Sequence, residues 1–286
     1  MNWILNYFRP IWLLIITGLI SLFLACSVLK KFPKEHYYEF LYFFERDFRN
    51  DSVVFKLKNP VQAPLNIQIL QDSLNPDISS LFSRITLQPS GDTIVSILYP
   101  EFDTTSRTRY LVRYGDVNKK IVNHPVAYPF PGGKQYKVIQ GNNGKYSHSG
   151  IYSRYAVDFG LKIGDTVTAV DEGFVVGLIQ DYKHHGTGKK WREDDKSNYI
   201  TIYHPHSGLY SQYVHLHYKG ALVALGDFVK KGQPVAISGM TGFTDIPHLH
   251  FNMKIPSDNY GLISVPVLFE NGVSSEELQK GQWVSY

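Results

Sequence analysis

Near the carboxyl end of the chain the sequence reads Pro247-His248-Leu249-His250-Phe251. Successive side chains of a β-strand point to opposite faces, so His248 and His250 share one face while Leu249 turns toward a core. Two imidazoles on one face can serve a single metal site, one as a ligand and the other beside the bound water. Taken alone, the pattern also fits a polar strand face that contains two histidines, so its interpretation depends on what lies upstream.

Further motifs precede this stretch in a defined order. They are Ser147-His148, Tyr155-Ala156-Val157-Asp158-Phe159, Val167–Val175, Tyr213-Val214-His215-Leu216, Val229–Val235 and Gly239-Met240-Thr241-Gly242-Phe243. Asp158 follows His148 by ten residues and lies in an apolar strand, where a buried carboxylate needs a partner. Over roughly residues 125–255 the ordered series resembles the lysostaphin/LytM-type zinc endopeptidases of bacterial cell walls, which have the Duplicated hybrid motif fold.

The resemblance implies a catalytic centre of five side chains. His148, Asp158 and His250 match the zinc ligands of the family. His215 and His248 match its two catalytic histidines that are not ligands. We assign His248 as the general base and His215 as the group that stabilises the developing oxyanion, and the two roles could be exchanged. The interval between His148 and Asp158 is longer than the commonest spacing in the family, and the branch that this chain resembles accommodates a loop there.

The chemistry of such a centre follows from its ligands. Zn²⁺ held by two imidazoles and one carboxylate retains a fourth position for a water molecule, whose pKa can fall toward about 7. The chain has one cysteine, Cys26, which excludes both a C-x-x-C zinc site and an intrachain disulfide. Any metal must therefore be held by histidines and carboxylates.

The composition predicts a mainly β protein. Aromatic residues make up 14% and charged residues 19% of the 286 residues, whereas an average soluble protein has roughly 25% charged residues. Sequences that are rich in aromatic residues and weakly charged are typical of strands. The net charge of +4 is spread along the chain without a basic run, so no nucleic-acid partner is expected.

Turn signals and strand-like runs divide the chain into four parts. Residues 1–29 are predicted to be a signal or membrane-anchor segment, 30–123 a small β-sandwich-like accessory domain, 124–271 an antiparallel β-sheet metallopeptidase domain with an open groove, and 272–286 a carboxyl-terminal tail. We expect Tyr199–Tyr203 and Leu209–Tyr213 to pair as a hairpin, and Lys183–Ser197 to be a long surface loop. In the tail, Ser274–Glu277 could cap one helical turn.

An uncharged, largely apolar run from Ile11 to Leu29 determines where the protein is expected to reside. A helix of this length nearly crosses a hydrocarbon core of roughly 30 Å. The run is either an uncleaved signal anchor or a lipoprotein signal processed at Cys26, which follows Ala25. A freely secreted product is a third interpretation. All three place the residues after about 30 outside the cytoplasm, and the first two anchor the protein in a membrane of the bacterial envelope.

These inferences predict a zinc-dependent endopeptidase that hydrolyses peptide bonds in peptidoglycan stems or cross-bridges. Its expected partners are peptidoglycan peptides and the membrane that holds its amino-terminal lipid or helix, while the oligomeric state is not predicted. The alternative is a catalytically silent scaffold that binds peptidoglycan or activates another hydrolase. The presence of all three ligand positions and both additional histidines favours the enzyme.

Overall fold

The structure of the chain is a computed structural model that describes residues 32–71 and 84–285. The predicted membrane segment at residues 1–29, including Cys26, lies outside the described residues. Among the residues that are described, no helix has both the length and the apolar character needed to cross a bilayer. The chain is mainly β, as the composition predicts, and contains several antiparallel sheets.

Two small antiparallel sheets make up the first block of the structure. Their strands are β1 (Phe44–Arg49), β2 (Ser52–Lys58), β3 (Leu65–Gln71), β4 (Ile85–Leu87), β5 (Asp92–Leu98) and β6 (Thr108–Tyr114). Hydrogen bonds join them in the orders β1-β2-β5 and β4-β3-β6. Strand β2 buries Phe55 and Leu57, and β3 buries Ile67 and Ile69. The two sheets thereby share one apolar core, which we call the first core.

The second block contains the principal sheet. Its elements are β7 (Gln135–Gln140), β8 (Val157–Phe159), β9 (Thr166–Thr168), β10 (Gly173–Ile179), β11 (His185–Gly186), α1 (Lys189–Asp194), β12 (Tyr199–His204), β13 (Leu209–Val214), β14 (Leu216–Ala221), β15 (Phe228–Val229), β16 (Pro234–Ser238), β17 (Gly242–Phe243), β18 (Leu249–Ser257), β19 (Gly261–Val265), a 3-10 turn (Ser275–Glu277) and β20 (Trp283–Ser285). The principal sheet has the order β15-β10-β12-β13-β18-β8-β7-β20, with β19 also paired to β18. Strands β14, β16 and β9 form a smaller sheet, and β11 and β17 form a short parallel pair.

Strand β18 shows that the principal sheet has two different faces. Phe251 and Met253 are buried in the larger apolar core of the second block. Because side chains alternate along a strand, His250, Asn252 and Lys254 point to the opposite face, which we call the site face. The histidine predicted to be a metal ligand therefore lies on the polar side of a sheet whose other side is the main core.

The first block packs against one end of the site face. Tyr203 on β12 and Tyr210 on β13 are paired across the two strands, and both belong to the first core. Tyr114 of β6 lies against Tyr210, with ring centroids 5.6 Å apart, and its hydroxyl donates a hydrogen bond to the Val176 carbonyl. The two blocks are thus joined through aromatic residues of the principal sheet.

The predicted hairpin is confirmed, whereas the predicted long loop is wrong in part. Strands β12 and β13 pair antiparallel throughout, which is the hairpin that the sequence indicates. The segment Lys183–Ser197 instead contains β11 and the short helix α1. The helix buries Trp191, which contacts Phe32 edge to face at 4.9 Å. Gly186 makes room for this indole, because a Cβ at that position would overlap it.

The carboxyl-terminal tail forms part of the fold. The Ser274 side chain accepts a hydrogen bond from the Glu276 amide, and the Glu277 side chain bonds back to the Ser274 amide, so the predicted cap is confirmed. Beyond this turn, β20 pairs with β7 at the edge of the principal sheet. The tail thereby supports the strand that leads into the candidate site.

Candidate metal centre

Two paired strands and one loop bring three of the predicted residues together. Asp158 on β8 lies directly opposite His250 on β18 in the register of the principal sheet. His148 comes from the segment between β7 and β8, where its amide donates a hydrogen bond of 2.9 Å to the Gly144 carbonyl. His148 and Asp158 are buried, and His250 is partly buried. The long interval between His148 and Asp158 is therefore a loop that returns the imidazole to the sheet.

The donor atoms of these residues form a small triangle. His148 Nε2 lies 3.1 Å from Asp158 Oδ1 and 3.1 Å from His250 Nδ1. His250 Nδ1 lies 2.9 Å from the same oxygen of Asp158. Ligands about 2.0–2.1 Å from a tetrahedral zinc ion are about 3.3 Å apart. A slight expansion of this triangle would therefore accommodate zinc, and two nitrogens with one carboxylate oxygen are a donor set that zinc prefers.

Neighbouring groups hold the ligands in the required orientation. His148 Nδ1 lies 2.9 Å from the Gly141 carbonyl, which can only accept, so this nitrogen carries the proton and Nε2 is free to bind a metal. Gln140 Nε2 donates to Asp158 Oδ2 at 3.1 Å and leaves Oδ1 to face the histidines. The fit to a divalent cation thus includes the residues around the ligands.

The electrostatics of the cluster keep Asp158 ionised. Burial alone raises the pKa of Asp158, but the imidazoles of His248, His148 and His250 outweigh it and hold this pKa well below the usual range. Burial also lowers the pKa of His250. For His148 the same lowering by burial is outweighed by Asp158, so the pKa of His148 is raised. A buried carboxylate that stays charged among imidazoles is well suited to a cation.

The other two predicted histidines lie beside this cluster. The rings of His215 and His248 have centroids 4.6 Å apart, and His248 Nε2 is 3.7 Å from Asp158 Oδ1. His215 Nδ1 donates to the Thr241 carbonyl at 2.7 Å, and His248 Nδ1 donates to the Ile246 carbonyl at 2.9 Å. In both rings the proton is therefore on Nδ1, and Nε2 can accept one.

His215 adopts an uncommon backbone conformation. Its φ is 65°, in the left-handed region that non-glycine residues seldom occupy. Burial, together with the imidazoles of His248 and His250, holds the pKa of His215 well below the usual range. The ring is therefore neutral at neutral pH, and its hydrogen bond to the Thr241 carbonyl fixes its orientation.

All five predicted site residues are thus brought together, but the groups that orient them were not predicted. Gln140 pairs with Asp158 across β7 and β8, and Thr241 positions His215. The sequence would indicate that Gln140 lies next to Asp158 only if β7 were already known to pair with β8. Thr241 lies in one of the motifs that carry the family resemblance, but the sequence does not show which carbonyl meets which imidazole.

Gly242 is a position where the candidate site depends on a glycine. It has a φ of 87°, and a Cβ there would overlap the Ser197 hydroxyl. Its neighbour Thr241 holds His215. We expect Gly242→Ala to lower the free energy of unfolding by at least about 2 kcal/mol, because about 1 kcal/mol of left-handed strain adds to the overlap. Urea denaturation followed by fluorescence measures the loss.

Gly226→Ala is the matched control for this change. Gly226 has a φ of 91°, but a Cβ at this position would meet no atom within 4 Å. Only the left-handed strain remains, so we expect a loss of about 1 kcal/mol. Equal losses for the two variants would show that the contact between Gly242 and Ser197 does not constrain the loop.

The region that contains most of this centre is similar in sequence to known peptidases. Residues 152–261 match the model of a family described as Peptidase family M23. Lysostaphin of Staphylococcus simulans is 31% identical over 115 residues, which are 40% of this chain and 21% of that protein. Peptidoglycan DD-endopeptidase ShyB of Vibrio cholerae is 31% identical over 131 residues, or 44% and 27% of the two chains. Glycyl-glycine endopeptidase ALE-1 of Staphylococcus capitis is 30% identical over 117 residues, or 41% and 29%.

These similarities are confined to one part of each protein. The chain spans less than a third of the length of each of these three relatives. The family match contains Asp158, His215, His248 and His250. His148 lies four residues before it, so the support for this residue comes from the geometry of the donor triangle.

Proposed function

We propose that the chain is a zinc-dependent endopeptidase that hydrolyses peptide bonds in peptidoglycan stems or cross-bridges, because residues 152–261 match the model of peptidase family M23. The observation that carries this proposal is the triangle of His148, Asp158 and His250 donor atoms, 2.9 to 3.1 Å apart, with two further histidines beside it. The names of two relatives support the substrate class, since one is a peptidoglycan DD-endopeptidase and the other a glycyl-glycine endopeptidase.

The metal would be held by His148 Nε2, Asp158 Oδ1 and His250 Nδ1. Bound there, zinc supplies a Lewis acid that polarises the scissile carbonyl and activates water as the nucleophile. The Gly141 carbonyl keeps the His148 proton on Nδ1, and Gln140 keeps one Asp158 oxygen turned toward the histidines. The protein thus fixes the ligands before the metal arrives, which lowers the cost of assembling the site.

His248 and His215 would move the protons of the reaction. We assign the general base to His248, because its Nε2 can accept a proton and lies 3.7 Å from Asp158 Oδ1, next to the ligands. His215 would stabilise the developing oxyanion from its position beside His248. The opposite assignment of the two roles uses the same atoms.

The location of the protein is part of the same proposal. We place it outside the cytoplasm, where the wall is accessible, and anchored to a membrane through residues 1–29 by a lipid on Cys26 or by a signal-anchor helix. The support is the uncharged run Ile11–Leu29 and its position directly before the first block.

Metal content and wall digestion test this function together. The full chain, purified in detergent, is expected to hold about one zinc ion and to release soluble peptides from purified sacculi. A chelator should abolish release, and added zinc should restore it, because the three ligands cannot polarise a carbonyl without the metal. Mass spectrometry of the products identifies the scissile bond.

A different result would favour the scaffold hypothesis. A protein that binds sacculi tightly but neither holds zinc nor releases fragments would be a wall-binding or hydrolase-activating module. Release that persists after complete removal of zinc would contradict the metallopeptidase proposal.

A further inference from the structure

A break between two strands carries His215 into the candidate metal centre. Strand β13 ends at Val214 and β14 begins at Leu216, so His215 alone connects them, with its φ of 65°. A residue other than glycine keeps such a backbone conformation only where the surrounding structure fixes it. The groups that hold the backbone next to His215 therefore decide where its ring lies relative to His248, whose ring centroid is 4.6 Å away.

Asn198, which directly precedes β12 and is fully buried, is the residue at which these groups meet. Its side-chain nitrogen Nδ2 donates to the Leu216 and His217 carbonyls, at 3.4 and 3.3 Å. The same nitrogen donates to the Tyr182 carbonyl at 2.8 Å, and Oδ1 accepts a hydrogen bond of 2.9 Å from the Tyr182 amide. The Asn198 side chain thus ties the two residues that follow His215 to the segment after β10.

The backbone of Asn198 is joined to the residue that orients the His215 ring. The backbone amide of Asn198 donates to the Thr241 hydroxyl at 3.0 Å, and that hydroxyl donates to the Leu216 carbonyl at 2.9 Å. The Asn198 carbonyl accepts a hydrogen bond of 3.2 Å from the Leu216 amide. Thr241 also supplies the carbonyl that accepts from His215 Nδ1 at 2.7 Å. The backbone next to His215 and the partner of its ring are therefore both held by Asn198.

The segments that Asn198 joins lie close to one another. A Cβ at Gly239 would come within 2.5 Å of the His217 backbone nitrogen, so the loop before Thr241 packs directly on the residues after His215. Without the Asn198 side chain, the backbone groups that it contacts would lose a buried hydrogen-bond partner. Because an unpaired buried polar group is costly, these segments would shift to regain partners, and the His215 ring would move with them.

We propose that Asn198 is a positioning residue for His215 in peptide hydrolysis. Acting through the backbone that follows His215 and through Thr241, it keeps the ring next to His248, where it meets the oxyanion as charge develops. A misplacement of a catalytic group by about 1 Å can lower a rate by about 10²-fold, even when the substituted residue lies away from the chemistry. This inference rests on the proposed function, because the reaction that Asn198 serves is hydrolysis at the metal centre.

Asn198→Ala tests the inference in the full chain, purified in detergent, with muramidase-solubilised peptidoglycan as the substrate. We expect kcat to fall by about 10- to 100-fold while KM and zinc content stay unchanged, because the lost positioning matters only in the transition state. Asn59→Ala is the matched control. Asn59 is also buried, and its Nδ2 donates to the Ala63 and Gln88 carbonyls, but it lies in the first block. This control should lower the free energy of unfolding and leave kcat unchanged.

Substitutions of Thr241 test the same connection even if Asn198→Ala does not fold. Thr241→Val removes the hydroxyl between Asn198 and Leu216 but keeps the size and the backbone carbonyl, so kcat should fall by about tenfold. Thr241→Ser keeps the hydroxyl and should recover most of this loss. In the His215→Ala protein, neither Asn198→Ala nor Thr241→Val should lower kcat further, because the ring through which they act is gone. Equal losses with and without the His215 ring would overturn the inference.

Amide hydrogen exchange separates this inference from the proposed function, because it does not depend on activity. In Asn198→Ala and Thr241→Val, peptides that cover residues 214–218 should exchange about tenfold faster, while those that cover β8 stay unchanged. Unchanged exchange at 214–218 would overturn the inference, whatever happens to kcat. If the unsubstituted protein neither holds zinc nor digests peptidoglycan, the proposed function fails. Faster exchange would then still support Asn198 as the residue that positions His215.

Discussion

Asp158→Asn is expected to remove bound zinc and to lower peptide release from sacculi by at least about 10³-fold, since a ligand to a catalytic metal contributes several kcal/mol to transition-state stabilisation. Asp158 Oδ1 is the atom that both ligand histidines face, at 3.1 and 2.9 Å. Asparagine preserves the shape but replaces a charged ligand with a neutral amide. Zinc content and the rate of peptide release measure the two effects.

The charge balance explains why so small a change should have so large an effect. In the folded protein the surrounding imidazoles hold the pKa of Asp158 well below its usual range, so the carboxylate is ionised throughout the neutral range. Its negative charge is the counterion for a divalent cation in a buried site. Without this negative charge, the two neutral imidazoles of His148 and His250 must hold the metal alone.

Two further variants make the result specific. Asp92→Asn, at an exposed position on β5, is the matched control and should change neither zinc content nor activity. Gln140→Ala removes the hydrogen bond to Asp158 Oδ2 but no ligand, so we expect zinc affinity to fall by about 10- to 100-fold. If Asp158→Asn keeps both zinc and activity, the metal is bound elsewhere and the donor triangle is not the active site.

The parts of this centre that the sequence predicted are those governed by strand geometry. The alternation of side chains along β18 places His250 on the site face, and an aspartate in the apolar strand β8 requires a partner. His248 directly precedes β18 instead of lying in it, and the Ile246 carbonyl orients its ring. His148 depended on the family resemblance, because a histidine in a polar loop has no periodicity to locate it. The contacts of Gln140 and Thr241 could not be predicted, since they depend on which strand and which loop come to lie nearby.

The same distinction holds for the fold. The hairpin of β12 and β13 is local in sequence, and its turn and alternation were sufficient to predict it. Helix α1 is six residues long, too short to be stable alone, and forms where Trp191 is buried against Phe32. Strand β20 pairs with β7, which lies far from it in the sequence. Such contacts depend on tertiary packing, which a short sequence window does not encode.

The packing of the first block on the site face was also beyond the sequence. Tyr203 and Tyr210 have the pattern of ordinary strand residues, which does not indicate what packs against them. What covers that face is decided by the complementary surface of the first block, where Tyr114 meets Tyr210.

His248→Ala is expected to retain zinc and to lower cleavage by about 10² to 10⁴-fold, which is the usual contribution of a positioned general base. The ring lies beside the ligand cluster but belongs to none of the three donor positions, since its Nε2 is 3.7 Å from Asp158 Oδ1. Its loss should therefore lower kcat while metal content stays unchanged. His184→Ala, at an exposed position, is the matched control and should behave like the unsubstituted protein.

The decisive comparison is between His248→Ala, His215→Ala and the variant that carries both substitutions. The two rings lie 4.6 Å apart and are proposed to act in one proton-transfer sequence. Groups that act as a unit are strongly non-additive, so the double variant should be about as slow as the slower single variant. Independent roles would instead multiply the two losses. A loss of zinc in His248→Ala would reassign that residue as a ligand, whereas full activity without it would remove the general base from the proposed mechanism and leave His215 as the proton acceptor.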